Sequence, residues 1–116
     1  MSENQTEIRT IAIVGGTGKE GKGLAYRWSK AGYKLIIGSR QIEKACAAVE
    51  ELKAVLGESI NDLVGLSNEV AVQVADIIVL TVPFSAHESI LSGLKPFLQG
   101  KILIDVTVPL VPPKVT

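Results

Sequence analysis

A short apolar run that breaks into glycines and then into a helical pattern sets the terms for this chain. Residues 8–21 read IRTIAIVGGTGKEG. Ile11-Ala12-Ile13-Val14 is brief and rich in β-branched residues, as suits a strand buried on both faces. Gly16-x-Gly18-x-x-Gly21 follows it. Alone, such a triplet is a weak signal, because glycine collects in loops; between a strand and a helix it points to a phosphate-binding turn. Gly16 is expected to make the tight turn out of the strand. Gly18, without a Cβ, lets a pyrophosphate approach the backbone, and Gly21 lets the first helix pack closely on the sheet. The helix N-terminus adds unpaired N–H groups and the positive end of the helix dipole.

The rest of the chain repeats the alternation of strand and helix. A first helix is expected over Gly18 to Ala31, with Leu24, Ala25, Trp28 and Ala31 on one face and Gly32 as its stop. A strand from Tyr33 to Ile37 ends in the tip Gly38-Ser39-Arg40. The second helix, Ile42 to Leu56, buries Ile42, Ala45, Cys46, Val49, Leu52 and Leu56, and Gly57 ends it. On that stripe Cys46 reads as an inert core thiol. A weaker strand spans Leu63 to Leu66, and a short helix, Glu69 to Val74, is capped by Asn68. Asp76 to Thr81 reads as a fourth strand leading into Val82-Pro83. Ser85-Ala86-His87-Glu88 has the form of a capping box, and Pro96 ends or bends the helix it opens. Lys101 to Asp105 is the fifth strand.

This order predicts an α/β fold: a Rossmann-like, doubly wound parallel sheet of about five strands in a three-layer α/β/α arrangement. Residues 1–7 read as a disordered arm, 8–109 as one nucleotide-binding domain, and 110–116, rich in proline, as a linker-like tail. In such sheets ligands sit beyond the carboxyl ends of the strands, where the strand order reverses.

Composition narrows the function. Twelve basic residues balance twelve acidic ones, so no basic excess points to nucleic acid or to a membrane surface. The apolar runs are too short to span a bilayer. A single cysteine rules out an internal disulfide and a multi-cysteine metal site, and the cytoplasm is the expected compartment. No catalytic triad or carboxylate pair stands out, and no catalytic residue is assigned. His87 is the sole histidine, read as a capping-turn residue or, alternatively, as lining a second ligand site.

The second strand tip selects the nucleotide. A domain that prefers NAD usually carries an acid there, about 20 residues past the glycines, to hold the ribose 2′-hydroxyl. Here Ser39 and Arg40 occupy the tip and Lys44 follows one helical turn later. A hydroxyl, a guanidinium and an ammonium suit a 2′-phosphate, which an acid would repel. The expected ligand is NADP(H).

Taken together, GGTGKEGKGLAYRW, GSRQIEKA and VLTVPFSAH resemble the NADPH-dependent oxidoreductases of the deazaflavin coenzyme F420. The resemblance runs from Ile8 to about Pro109. It implies that Thr17, Gly18, Lys19 and Glu20, with Gly16 and Gly21, surround the pyrophosphate. Ser39, Arg40 and Lys44 would hold the 2′-phosphate, and Val82, Pro83 and Phe84 would border the nicotinamide ribose and ring. It implies F420 as co-substrate, with hydride passing between nicotinamide C4 and deazaflavin C5. Such chemistry needs orientation more than acid–base help.

Two departures stand out. Members of that family are longer, their later half contributing to the deazaflavin pocket and the dimer. The resemblance thus implies a homodimer or a missing C-terminal half. Glu20 also sets an acid beside the expected pyrophosphate, which is tolerable if it runs along the helix surface near the N-terminus. Two other readings compete: a stand-alone NADP-sensing or NADP-binding module, and the nucleotide domain of another NADPH reductase, of the ferric reductase or pyrroline-carboxylate reductase type.

Overall fold

A computed structural model describes residues 10–57, 62–82 and 84–106. The chain runs β1 (Thr10–Val14), α1 (Lys19–Lys30), β2 (Lys34–Ser39), α2 (Ile42–Leu56), β3 (Leu63–Ser67), α3 (Asn68–Val74), β4 (Ile77–Leu80), α4 (Phe84–Leu94), a 3₁₀ turn (Lys95–Phe97) and β5 (Ile102–Asp105). The five strands form one parallel sheet in the order β3-β2-β1-β4-β5. This is the Rossmann-like α/β fold expected from the alternation of elements.

Side-chain alternation along β1 builds the three layers. Ile11 and Ile13 face one way and pack with Ala25 of α1 and Ala45, Val49 and Leu52 of α2. Ala12 and Val14 face the other way, with Ala71 and Val72 of α3 and Leu94 of α4. A strand with a helical layer on each side has no polar face to show, which is why β1 carries no alternating polar residue. Burying each isoleucine, leucine or valine among these contributes roughly 1.5–3 kcal/mol.

The register aligns the strand ends. Val14 pairs with Gly38 on one side and Leu80 on the other; Gly38 pairs with Leu66, and Leu80 with Asp105. One row therefore crosses the carboxyl edge of the sheet. The glycine turn, Ser39, Ser67, Thr81 and Val106 all leave it within a residue. The chain winds outward from β1 through β2 to β3, then crosses back to β4 on the other flank of β1. The reversal of strand order falls between β1 and β4.

Several expectations shift in detail. The second strand runs two residues further, to Ser39, so Gly38 and Ser39 belong to the sheet rather than to a tip. Helix α3 is capped by Ser67, whose Oγ accepts from the Val70 N–H at 3.4 Å; Asn68 is its first residue and is buried. Pro96 does end the fourth helix: regular α structure stops at Leu94 and tightens into the 3₁₀ turn. The largest change is in α2, which buries Ala45, Ala48, Val49 and Leu52 while Ile42 and Cys46 are exposed. Gly65 of β3 supplies the reason. A Cβ there would stand 2.7 Å from the Ala45 carbonyl carbon, so strand and helix backbones nearly touch. That approach requires small residues, and it turns the alanines, not the larger Ile42 and Cys46, toward the sheet. The expectations for residues 1–7, Pro83 and residues 110–116 lie outside the described residues, as does the side chain of His87.

Candidate functional site

The glycine turn is fastened on both flanks. Gly15 has φ +73°, a left-handed conformation that glycine adopts without a Cβ penalty. Its N–H and that of Gly16 both donate to the Gly38 carbonyl, each at 3.1 Å. From the other flank, Thr81 donates its backbone N–H to the Val14 carbonyl at 3.0 Å. The Thr81 hydroxyl reaches the Val14 and Gly15 carbonyls at 3.0 and 3.3 Å. The turn out of β1 is thus made at Gly15, one residue before the position expected for it. Gly16 has a packing role instead: a Cβ on Gly21 would meet the Gly16 Cα at 2.6 Å. Gly21 therefore seats α1 on the turn, rather than on the sheet as expected.

Gly18 differs from its neighbours. It is exposed, and a Cβ built on it meets nothing within 4 Å. It is also the N-cap of α1, and no side chain caps that end. A twelve-residue helix therefore presents its first N–H groups and positive dipole end beside open space, directly off the central strand. Lys19 and Glu20 are exposed in the first turn and line a shallow groove with Leu24 and Arg27 on the outer side of α1. Glu20 thus lies along the helix surface, where an acid suits the dipole.

The β2 end carries the cations. Ser39 is buried, and its Oγ accepts from the Gln41 N–H at 3.2 Å. Arg40 and Lys44 are exposed, and neither has an ion-pair partner among the described residues. Lys44 and Thr17 line one groove between α1 and α2, so a residue of the glycine turn and one from the basic set are brought together. At the β4 end Val82 is buried, in reach of Gly15; a Cβ on that glycine would stand 2.7 Å from its Cγ1. Pro83 lies outside the described residues. Phe84 opens α4.

The family model described as NADP oxidoreductase, coenzyme F420-dependent, matches residues 10–109. The chain belongs to this family. Among relatives of the F420-dependent oxidoreductase family, the F420-dependent NADP reductase of Methanothermobacter thermautotrophicus is 41% identical over 103 residues, 89% of this chain and 44% of that protein. The reductase of the same name from Methanocaldococcus jannaschii is 42% identical over 102 residues, 86% of this chain and 45% of its own length. The chain thus spans under half the length of the curated relatives it matches. The fold also resembles that of a lactate dehydrogenase from Cryptosporidium parvum solved with lactic acid and nicotinamide adenine dinucleotide. There the TM-score is 0.70 at 16% identity, covering 87% of this chain and 38% of that one.

Two residues beside the candidate site escape a linear reading. Thr81 reads only as the last residue of an apolar strand, yet its hydroxyl ties β4 to the turn. Lys22, one turn into α1, lines the same groove as Thr17 and Lys44. Among the described residues no group of three or more His, Cys, Asp or Glu could hold a metal ion, and no helix is long and apolar enough to cross a membrane.

Proposed function

We propose that the chain is the NADP(H)-binding part of an oxidoreductase that passes hydride between NADPH and the deazaflavin coenzyme F420. One observation carries the reading. An uncapped helix N-terminus with open space at Gly18 stands next to a β2 end where Ser39 and Arg40 take the place of an acid, with Lys44 following in the first turn of α2. The first feature suits a pyrophosphate and the second a 2′-phosphate. Gly16, Thr17, Gly18, Lys19, Glu20 and Gly21 form the pyrophosphate end of the proposed site. Val82, Pro83 and Phe84 border its nicotinamide end, close to the reversal of strand order between β1 and β4.

When bound, the nicotinamide supplies or accepts the hydride at C4, and the deazaflavin takes or returns it at C5. The chain's own residues bind and orient. The turn, held by Gly38 and Thr81, fixes the diphosphate against α1, and Arg40 and Lys44 fix the far end of the nucleotide. A cleft anchored at both ends holds the nicotinamide in one place, which is what a direct hydride transfer requires. The proposed binding unit spans residues 8–109, in keeping with the 10–109 matched by the family. A cytoplasmic location is part of the proposal, supported by the lone cysteine. So is further polypeptide, equivalent to the remaining length of the relatives, over the apolar side chains of Ile102, Leu103 and Ile104 that β5 exposes. A second copy of the chain on that strand is the alternative arrangement.

Calorimetric titration of the chain with NADP and with NAD tests the binding half. Tighter binding of NADP is expected; equal affinities would remove the ground for the reading. Hydride transfer is tested by following F420 absorbance with NADPH once the polypeptide equivalent to the relatives' remaining length is supplied.

A further inference from the structure

An ion pair stands in the groove behind the candidate phosphate site. Lys22, in the first turn of α1, places its Nζ 2.7 Å from Oε1 of Glu51 on α2. The pair is open to solvent, with 31% of the Lys22 side chain and 65% of the Glu51 side chain exposed, so it contributes little to folding. Its location is more telling than its strength. Thr17, Lys22, Lys44, Glu50 and Glu51 line one groove together with the small residues Ala47 and Ala48. Thr17 belongs to the glycine turn and Lys44 to the cationic set at the end of β2. A phosphate dianion entering beside them meets one lysine without an ion partner and a second held by a carboxylate.

We propose that Lys22 is a further specificity-determining residue for NADP, held by Glu51 until a 2′-phosphate is present. The inference rests on the NADP reading above and adds to it a residue and a switch of partner. A lysine ammonium is a compact charge on a flexible four-carbon stem, and it exchanges one anionic partner for another without moving the backbone. A phosphate dianion offers more charge than a carboxylate and adds to what Arg40 and Lys44 supply. NAD brings no such group, so with NAD bound Lys22 stays on Glu51. Glu51 therefore works against NADP twice: it competes for Lys22, and it places a negative charge near the phosphate.

Calorimetric titration of NADP and NAD into the 116-residue chain and five variants decides the matter, with circular dichroism confirming that each variant folds. Lys22→Gln should weaken NADP roughly two- to fivefold, the scale of an exposed ion pair, and leave NAD unchanged. Lys22→Arg should keep the NADP preference. Glu51→Gln should tighten NADP by a similar factor without affecting NAD. In the double variant the gain from Glu51→Gln should shrink, since part of it comes from releasing Lys22. Arg40→Ala serves as the reference. If it weakens NADP while Lys22→Gln does not, the role of Lys22 is overturned and the reading of the β2 end stands. If Lys22→Gln weakens both nucleotides equally, the pair is only a tie between helices and the proposal fails. If the unaltered chain binds NADP and NAD equally, the reading of the β2 end fails first and the inference with it.

Discussion

At Gly18 a single hydrogen leaves the backbone bare beside the end of α1. The residue has φ −82° and ψ 174°, an extended conformation open to any L-residue, and a Cβ there meets no protein atom within 4 Å. The structure itself places no demand for glycine at this point, in contrast to Gly15, Gly16 and Gly21. A ligand close to the backbone does place one. Gly18→Val should therefore leave the circular dichroism spectrum intact and abolish nucleotide binding; unchanged NADP affinity in the folded variant would take the pyrophosphate away from this turn. On the present proposal, Arg40 carries most of the preference for NADP over NAD. Its planar guanidinium forms paired charge-assisted bonds to a phosphate, which an ammonium does not. Loss of a bond to a charged group costs roughly 1.5–3 kcal/mol, about ten- to a hundredfold in affinity. Arg40→Ala is expected to weaken NADP by that factor and to spare NAD. The NADP effect should fade as salt rises, because the residue is exposed. Equal losses for both nucleotides would show that Arg40 stacks on the adenine or supports the fold.

Elements meet at distances their small residues permit. Helix α2 and strand β3 approach until Gly65 faces the Ala45 carbonyl, and this contact decides which side of α2 is buried. Gly65→Ala should force α2 off the sheet and destabilise the chain by about 1–3 kcal/mol, the cost of overpacking. Urea unfolding should show a lower midpoint with an unchanged slope. An unaltered midpoint would mean that α2 repositions freely and that the close approach is incidental. Since Ala48 lines the groove that holds Lys22 and Lys44, a displaced α2 should also reduce NADP affinity in the folded fraction. The same contact exposes Cys46, whose apolar character and position in the helix marked it for the interior.

For the whole molecule, the sheet is unevenly covered. Its centre, β1 and β4, is enclosed by helices, whereas the edge strand β5 leaves Ile102, Leu103 and Ile104 exposed to 51, 41 and 43%. The relatives have more than as much chain again. On the present proposal, the 116-residue chain should bind NADP yet reduce F420 hardly at all, because no second wall orients the acceptor against the nicotinamide. Mixing it with NADPH and oxidised F420 and following absorbance checks this. Sustained turnover on the order of 10 per second, typical of enzymes, would show that the chain carries the acceptor site by itself.

Local rules were enough for the order of elements and the parallel sheet. A β-branched run, a glycine triplet and a helical stripe are each short-range patterns, and consecutive β-α units leave few topologies open. The absence of an acid beside Ser39 and Arg40 was likewise legible from residue order alone. Contacts between distant segments were not. That Gly15 rather than Gly16 makes the turn depends on the Gly38 carbonyl and on Thr81, 66 residues away. That Ser67 caps α3, and that α2 turns its alanines inward, depends on how closely β3 lies. The meeting of Thr17, Lys22, Lys44 and Glu51 in one groove depends on how α1 and α2 pack side by side. Periodicity gives a helix a candidate buried face; only the distance at which the next element comes to rest decides which side chains fit beneath it and which are left to meet a ligand.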